Sequence, residues 1–260
     1  LIWKDKNVHY LKDTTMTEEK EAKGIAAQYL KDGIKINTSI PDRKKVQFDP
    51  TLSRDNPSQR YLDLLEIYST LHTAGEGMFN GRSLIKYIEV IGTYLKKLNC
   101  KTLLDYGSGK GHLYTEKYTT VQRRDEMDRP LPKLWELDRY QLYDPAYPEH
   151  EKLPTDKFEA VIPEADIGWV LDEIFSYATK MVFVNIACFD ALKILSDGSN
   201  AHASVFHKMD WLELLAYKSE SHKHLIIYPF FDMFDEEENV VVSGYKIDQF
   251  PRVIELKPKE

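Results

Sequence analysis

The sequence predicts an α/β fold in which a doubly wound, mostly parallel sheet follows a helical N-terminal region and closes with a C-terminal antiparallel hairpin. From Lys101 onward, short apolar runs typical of strands alternate with runs that have helical spacing. One run, KMVFVNIA at residues 180–187, is almost continuously apolar, as is typical of a central parallel strand covered on both faces. Strands separated by helices imply right-handed crossovers and a parallel sheet.

The composition excludes several classes of protein. The 260 residues are 42% hydrophobic and 30% charged, and single domains reach roughly 250 residues, so one large domain or a domain with an appendage is expected. No run approaches the ~18 apolar residues of a membrane helix, and the first residues lack the features of a secretory signal. Cys100 and Cys188 alone make neither a disulfide scaffold nor a cysteine zinc site, so a cytoplasmic location is predicted.

The net charge limits which partners the protein is expected to bind. A net charge of −7 disfavours broad contact with nucleic acid, and the pair Arg123 and Arg124 is followed at once by DEMD. A metal site remains an alternative for the polar loop that contains His202, His207 and Asp197. No compact spacing such as H-E-x-x-H occurs in the chain, however, so no metal is predicted.

Two helices are predicted in the charged first hundred residues. Asn56, Pro57 and Gln59 have the spacing of an N-cap, a first-turn proline and a capping box. The apolar face of this helix consists of Tyr61, Leu64, Leu65, Tyr68 and Leu71. A second helix is predicted over residues 82–97, after a glycine-rich loop.

The later elements follow in strand–helix order. Strands are predicted over residues 101–106, 140–144, 158–162, 180–187, 224–231 and 240–247. Helices are predicted over residues 166–178 and 210–218. The last two strands are joined by a DEEEN turn and read as a hairpin.

The most specific motif is LLDYGSGKGHLY at residues 103–114, in which a glycine-rich turn joins a strand to a helix. Such a turn lets a ligand approach the backbone closely and directs N–H groups at it. A dinucleotide fingerprint needs a glycine where His112 stands, and a P-loop needs Ser or Thr after Lys110. What remains is an acid on the strand end followed by Gly-x-Gly-x-Gly.

At these residues the sequence resembles class I S-adenosylmethionine-dependent methyltransferases, over residues 84–247. The segment YQLYDPAY, with Asp144 and Pro145, the strand FEAVI and the closing hairpin also carry the resemblance. Together with FNG at residues 79–81, WVLDEIFSYA and NAH, they are similar to an uncharacterised branch found in bacteria and their phages.

The resemblance implies a Rossmann-like domain over residues 82–260 that binds S-adenosylmethionine, with residues 1–81 as a helical cap on the acceptor side. Asp105 would accept from the ammonium group, and Asp144 would accept both ribose hydroxyls. The implied binding residues are Asp105, Gly107, Ser108, Gly109, Gly111, Asp144, Pro145, Phe79, Asn80 and Gly81. The alternatives are a plain tight turn for the glycines and a strand-end turn acid for Asp144.

Methyl transfer from a sulfonium mainly requires orientation, and a base is needed only for a hydroxyl or a protonated amine. His202, in the polar loop after strand 180–187, is the preferred base or acceptor-orienting residue, because histidine titrates near neutral pH. The alternative is a loop histidine that bonds backbone. The expected acceptor is a small molecule, and the oligomeric state stays open.

The chain departs from the family pattern in three places. Asp105 and Asp144 are 39 positions apart, more than the ~20 of a compact unit, and the charged segment 121–139 between them is predicted to be a lid or a substrate-facing insertion. Only thirteen residues separate Asp144 from Phe158, too few for an adenine-side helix and strand. The acidic segment that relatives carry after Ile162 is replaced by PEADIGWV. A cofactor-binding protein without transferase activity is therefore the first alternative, and an NAD(P)-dependent oxidoreductase a weaker one.

Overall fold

The fold is built on one seven-stranded sheet. The computed structural model describes residues 41–44, 46, 48–73, 82–115, 129–163, 168–191, 194–235, 240–248 and 252–256. The strands are β1 (Thr102–Tyr106), β2 (Arg139–Tyr143), β3 (Phe158–Pro163), β4 (Ala178–Ala187), β5 (Ile226–Phe234), β6 (Val240–Asp248) and β7 (Arg252–Leu256). Their order is β2-β1-β3-β4-β5-β6-β7. The first five strands pair in parallel, and β6 and β7 are antiparallel.

Helices cover both faces of the sheet. They are α1 (Gln59–Thr73), α2 (Ile88–Lys97), α3 (His112–Thr115), α4 (Leu131–Leu134), α5 (Trp169–Tyr177) and α6 (Lys208–Ser219), with 3₁₀ turns at Arg82–Tyr87 and Glu220–His222. Buried side chains of α5 and α6 form one core with the sheet, and those of α2 and α4 form a second core. This layering confirms the predicted α/β class and the mostly parallel sheet.

The C-terminal strands differ from the prediction. The predicted hairpin is present as β5 and β6, but β7 extends it to three strands by pairing with β6 from Asp248↔Arg252 to Gly244↔Leu256. The strand was missed because its five residues, RVIEL, are short and follow a proline. So short a run forms a strand when it can pair with the edge of a neighbouring strand, which here is β6.

The strand order reverses beside β1. Strand β2 lies on one side of β1 and β3 on the other, with Asp105 of β1 in register with Leu142 and Ile162. In open α/β sheets, ligands bind outside the carboxyl ends of the strands at such a reversal. The glycine-rich turn follows β1 at this point.

The start of α1 differs from the predicted cap. Helix α1 begins at Gln59, and the Ser58 hydroxyl accepts the Tyr61 N–H at 3.1 Å. The Asn56 side chain instead donates to the Thr51 carbonyl at 3.1 Å. The capping box built on Asn56 is therefore wrong, because that side chain closes the preceding turn.

Replacing the true cap should cost more than replacing the predicted one. Ser58→Ala is expected to lower the free energy of unfolding by about 1 kcal/mol, the usual value of an N-cap. Asn56→Ala, which removes one exposed hydrogen bond, should cost less than about 0.5 kcal/mol. Urea denaturation of both variants measures the difference. A larger loss in Asn56→Ala would contradict the assignment of the cap.

Part of the predicted lid belongs to the core. Residues 121–128 lie outside the described residues, but Leu131 is fully buried and Trp135 nearly so. The Trp135 indole N–H donates to the Ile88 carbonyl at 3.0 Å. The lid prediction is therefore wrong for residues 131–135. Leu131 and Trp135, two large apolar side chains in a charged segment, are buried against α2. The thirteen residues after Asp144 contain neither helix nor strand, as expected.

None of the helices in the described ranges is long and apolar enough to cross a membrane.

Candidate functional site

The glycine turn is anchored to the end of the neighbouring strand. The N–H groups of Gly107 and Ser108 both donate to the Tyr143 carbonyl, at 2.6 and 3.1 Å. The Gly111 N–H donates to the Ser108 carbonyl at 3.1 Å, and α3 begins at the next residue. Gly107, Gly109 and Gly111 all have positive φ, between 56° and 91°, which only glycine adopts without strain. The turn is thus held in one shape by its own sequence and by β2.

Asp144 joins this turn through its carboxylate. Its Oδ2 accepts the Gly109 N–H at 2.9 Å, and its Oδ1 accepts the Ala146 N–H at 2.9 Å. Asp144 is nearly buried, with a side chain that is 12% exposed. A carboxylate offers about four acceptor positions, so two stay available to a ligand. This side-chain hydrogen bond adds to the two backbone bonds at Tyr143, so the glycine turn and the segment around Asp144 are joined at three points.

The residues after Asp144 close a tight turn against the glycines. The Asp144 backbone N–H donates to the His150 carbonyl at 3.0 Å, and Pro145 and Ala146 lie within the turn that this bond closes. The His150 ring donates through Nδ1 to the Gly109 carbonyl at 2.8 Å. His150 was missed by sequence reasoning, because nothing in its spacing distinguishes it from an ordinary turn histidine.

Asp105 is a second nearly buried carboxylate at the same edge, on the strand next to β2. The side chain of Tyr114, from α3, lies near it. Burial raises the pKa of the Tyr114 hydroxyl well above its ordinary value, and the charge of Asp105 raises it further. Tyr114 therefore stays a protonated donor beside this acid.

Helix α1 runs along the carboxyl edge of the sheet. At its start, Arg60 forms an ion pair with Asp197 at 2.5 Å. Further along, the Tyr68 hydroxyl donates to the Ala201 carbonyl at 2.5 Å. One turn later, His72 Nε2 lies 3.8 Å from Asp144 Oδ1. One helix thus contacts both the loop that contains His202 and the acid of the glycine site.

His72 is the second residue that sequence reasoning missed. It follows Leu64 and Tyr68 at intervals of four, and it is almost fully buried. The signal was available, since a histidine occupied a position of the apolar stripe. The helical spacing did not indicate which residue His72 would contact.

His202 is held by its own loop. Its Nδ1 donates to the Phe189 carbonyl at 2.6 Å, and its backbone N–H donates to Asn200 Oδ1 at 2.8 Å. Because a carbonyl only accepts, Nδ1 has the proton and Nε2 is the basic nitrogen of the neutral ring. Among the described residues, no hydrogen bond or ion pair joins His202 to the glycine turn. His202 therefore bonds backbone, as the alternative interpretation predicts, in a tautomer that leaves Nε2 basic.

The candidate His207 and the neighbouring Asp210 of α6 have structural partners. His207 caps α6, where its Nδ1 accepts the Met209 N–H at 3.1 Å. Asp210 accepts from Arg43 at 2.5 Å. Within the described ranges, no group of three His, Cys, Asp or Glu residues is arranged to hold a metal ion.

A separate polar cluster lies at the end of β5. The buried Asp232 carboxylate accepts from Lys86 and from the Tyr87 hydroxyl, the latter at 2.6 Å. Its carbonyl accepts the Cys188 N–H at 2.8 Å. Burial raises the pKa of the Cys188 thiol to about 12, and nearby Asp232 adds to this. Cys188 is therefore buried and protonated at neutral pH.

The three residues Phe79, Asn80 and Gly81 lie outside the described residues.

No family model, curated protein or solved structure matches the chain. A functional assignment must therefore rest on the residues and the geometry described above.

Proposed function

We propose that the protein is an S-adenosylmethionine-dependent methyltransferase with a Rossmann-like domain, acting on a small-molecule acceptor. The observation that carries this proposal is the 2.9 Å hydrogen bond from the Gly109 N–H to Asp144 Oδ2. It unites a glycine turn and a strand-end acid at the edge where the strand order reverses, which is the binding edge of open α/β sheets.

The residues present fit such a cofactor. When bound, S-adenosylmethionine supplies a methyl group activated by a sulfonium. The two acceptor positions that Asp144 retains suit the two hydroxyls of a ribose, in a charge-assisted arrangement. Asp105 offers a negative charge to an ammonium group, and three of the five residues of the turn are glycines, which lack side chains and so permit a close approach to the backbone.

His202 supports the transfer step. With Nδ1 bonded to the Phe189 carbonyl, its neutral ring keeps Nε2 as the proton acceptor. The loop lies at the carboxyl end of β4, two strands from β1, and α1 ties it to the side of the sheet that contains Asp144. His202 would orient an acceptor or remove its proton, and the net charge of −7 favours a small acceptor over nucleic acid.

One observation favours a second candidate, a cofactor-binding protein without transferase activity. The thirteen residues after Asp144 form turns only, so the side of the site next to β2 lacks an adenine-side helix and strand. A nicotinamide-dependent oxidoreductase is disfavoured, because His112 stands where the dinucleotide fingerprint needs glycine.

Calorimetric titration tests the proposal. S-adenosylmethionine and S-adenosylhomocysteine should each bind one site per chain, with dissociation constants in the range of roughly 1 μM to 1 mM that is typical of enzyme ligands. NAD, the control ligand, should not bind. Folded protein that binds neither sulfur ligand, or that binds NAD instead, would overturn the proposal. Binding of both, without release of S-adenosylhomocysteine across a panel of small acceptors, would favour the binding protein.

A further inference from the structure

We propose that His72 is a positioning residue for Asp144, through which helix α1 takes part in cofactor binding and makes that binding depend on pH. This inference rests on the proposed function and deepens it. His72 belongs to the N-terminal region, outside the segment that carries the glycine turn, and its ring is buried against the acid that this turn holds.

The imidazole of His72 faces the Asp144 carboxylate. The side chain of His72 is 3% exposed, and its Nε2 lies 3.8 Å from Asp144 Oδ1. Its ring also packs on Tyr147, with 5.0 Å between ring centroids. On its other side Tyr147 contacts the ring of His150, which bonds the Gly109 carbonyl. The carboxylate is therefore enclosed by the glycine turn, its own turn and α1.

At this distance from Asp144, the neutral and the protonated form of His72 act differently on the carboxylate. At 3.8 Å a neutral imidazole is beyond hydrogen-bond range, so Oδ1 keeps an acceptor position for a ligand hydroxyl. A protonated imidazole at the same distance is an ion-pair partner, and it competes with the ligand for the same oxygen. Cofactor binding therefore requires the neutral form of His72.

Within the described part of the chain, the charged and titratable groups that act on His72 include Asp144, Lys110 and His150, and the Tyr147 ring packs against it. Burial has the largest influence and lowers the pKa of His72; Asp144 raises it, while Lys110 and His150 lower it. Because the resulting pKa lies below the ordinary value, His72 is neutral at neutral pH. Acidification therefore protonates it.

The sign of the pH dependence follows. A ligand that binds only the neutral form releases a proton wherever His72 is charged in the free protein. Affinity should thus be level above neutral pH and fall by up to about tenfold per pH unit below the pKa of His72. S-adenosylhomocysteine is the probe, since its own amine and carboxylate do not titrate in this range.

The experiment compares three proteins by calorimetry at several pH values, from about 5.5 to 8.5, across the titration of histidine. In the wild type, the dissociation constant should be level near neutral pH and rise toward the acid end as His72 becomes protonated. His224→Gln, which removes an exposed histidine, should follow the wild type. His72→Gln should show a flat profile, because glutamine does not titrate, and it should bind about three- to tenfold more weakly at neutral pH, because it loses the packing of the ring on Tyr147 next to Asp144. Thermal unfolding confirms that each variant is folded at the titration temperature.

A measurement on the wild type alone guards against a His72 variant that does not fold. Titrations at acid pH in two buffers with different ionisation enthalpies should reveal net proton release on binding, and release should vanish above neutral pH. A pH profile unchanged in folded His72→Gln, or binding without proton release, would overturn this inference alone. Absence of binding by the wild type at every pH would overturn the proposed function, and this inference with it.

Discussion

Asp144→Asn is expected to weaken S-adenosylhomocysteine binding by roughly 30- to 1,000-fold, which corresponds to about 2–4 kcal/mol. The carboxylate already accepts the N–H groups of Gly109 and Ala146, at 2.9 Å each, and keeps two positions for a ribose. Asparagine has one acceptor oxygen and no charge. It therefore cannot hold both backbone groups and also form charge-assisted bonds with the ligand. Calorimetric titration at neutral pH measures the loss.

The same change should also cost stability, so folding must be followed separately. An amide nitrogen at the Oδ1 or Oδ2 position leaves one backbone N–H without its acceptor, at a cost of about 1–3 kcal/mol. Asp156→Asn is the matched control, because it removes an exposed acid whose partner is Arg139, at 2.9 Å. The control should bind like the wild type. Wild-type affinity in folded Asp144→Asn would remove Asp144 from the cofactor site.

Gly111→Ala is expected to lower the free energy of unfolding by about 2–4 kcal/mol. At φ of +60°, an L side chain costs about 1–2 kcal/mol. The new Cβ would also lie 2.4 Å from Leu142 Cδ1 and 3.3 Å from His150 Cε1, and overpacking of this kind costs about 1–3 kcal/mol. Leu142 must move to make room, which disturbs β2 next to Asp144. Urea denaturation measures the effect.

Gly198→Ala separates the backbone cost from the packing cost. Gly198 has a similar positive φ of +81°, but no heavy atom lies within 4 Å of the position of an added Cβ. Its expected loss is therefore about 1–2 kcal/mol, from conformation alone. If both alanine variants lose the same stability, the turn is not tightly packed against β2 and the account of the site needs revision.

Local pattern was sufficient for most of the secondary structure. The run KMVFVNIA became β4, and the acid-terminated runs became β1 and β2, within about two residues of the predicted bounds. Alternation of strand and helix was enough to predict a parallel sheet, because such strands pair only through crossovers. The glycine turn was equally accessible, since its positive φ values admit few other residues.

Tertiary structure decided what local pattern could not. Asn56 had the spacing of a cap, yet its side chain closes another turn and Ser58 takes the role. The charged segment around Trp135 looked like a lid, but its apolar side chains are buried against α2. The first outcome depends on which nearby backbone group each side chain bonds, and the second depends on contacts with residues that are distant in sequence.

The same distinction between local sequence pattern and tertiary structure applies to the candidate site. The sequence by itself determined the α/β class, the glycine turn and the acid after the second strand, because these follow from periodicity and from the conformations that residues allow. Only the tertiary structure decided that Asp144 bonds Gly109, that α1 crosses the carboxyl edge, and that His72 faces the acid. The physical reason is that a side chain's partner depends on which elements the fold brings together, and His72 and Asp144, which are 72 positions apart, have no local signal of that contact between them.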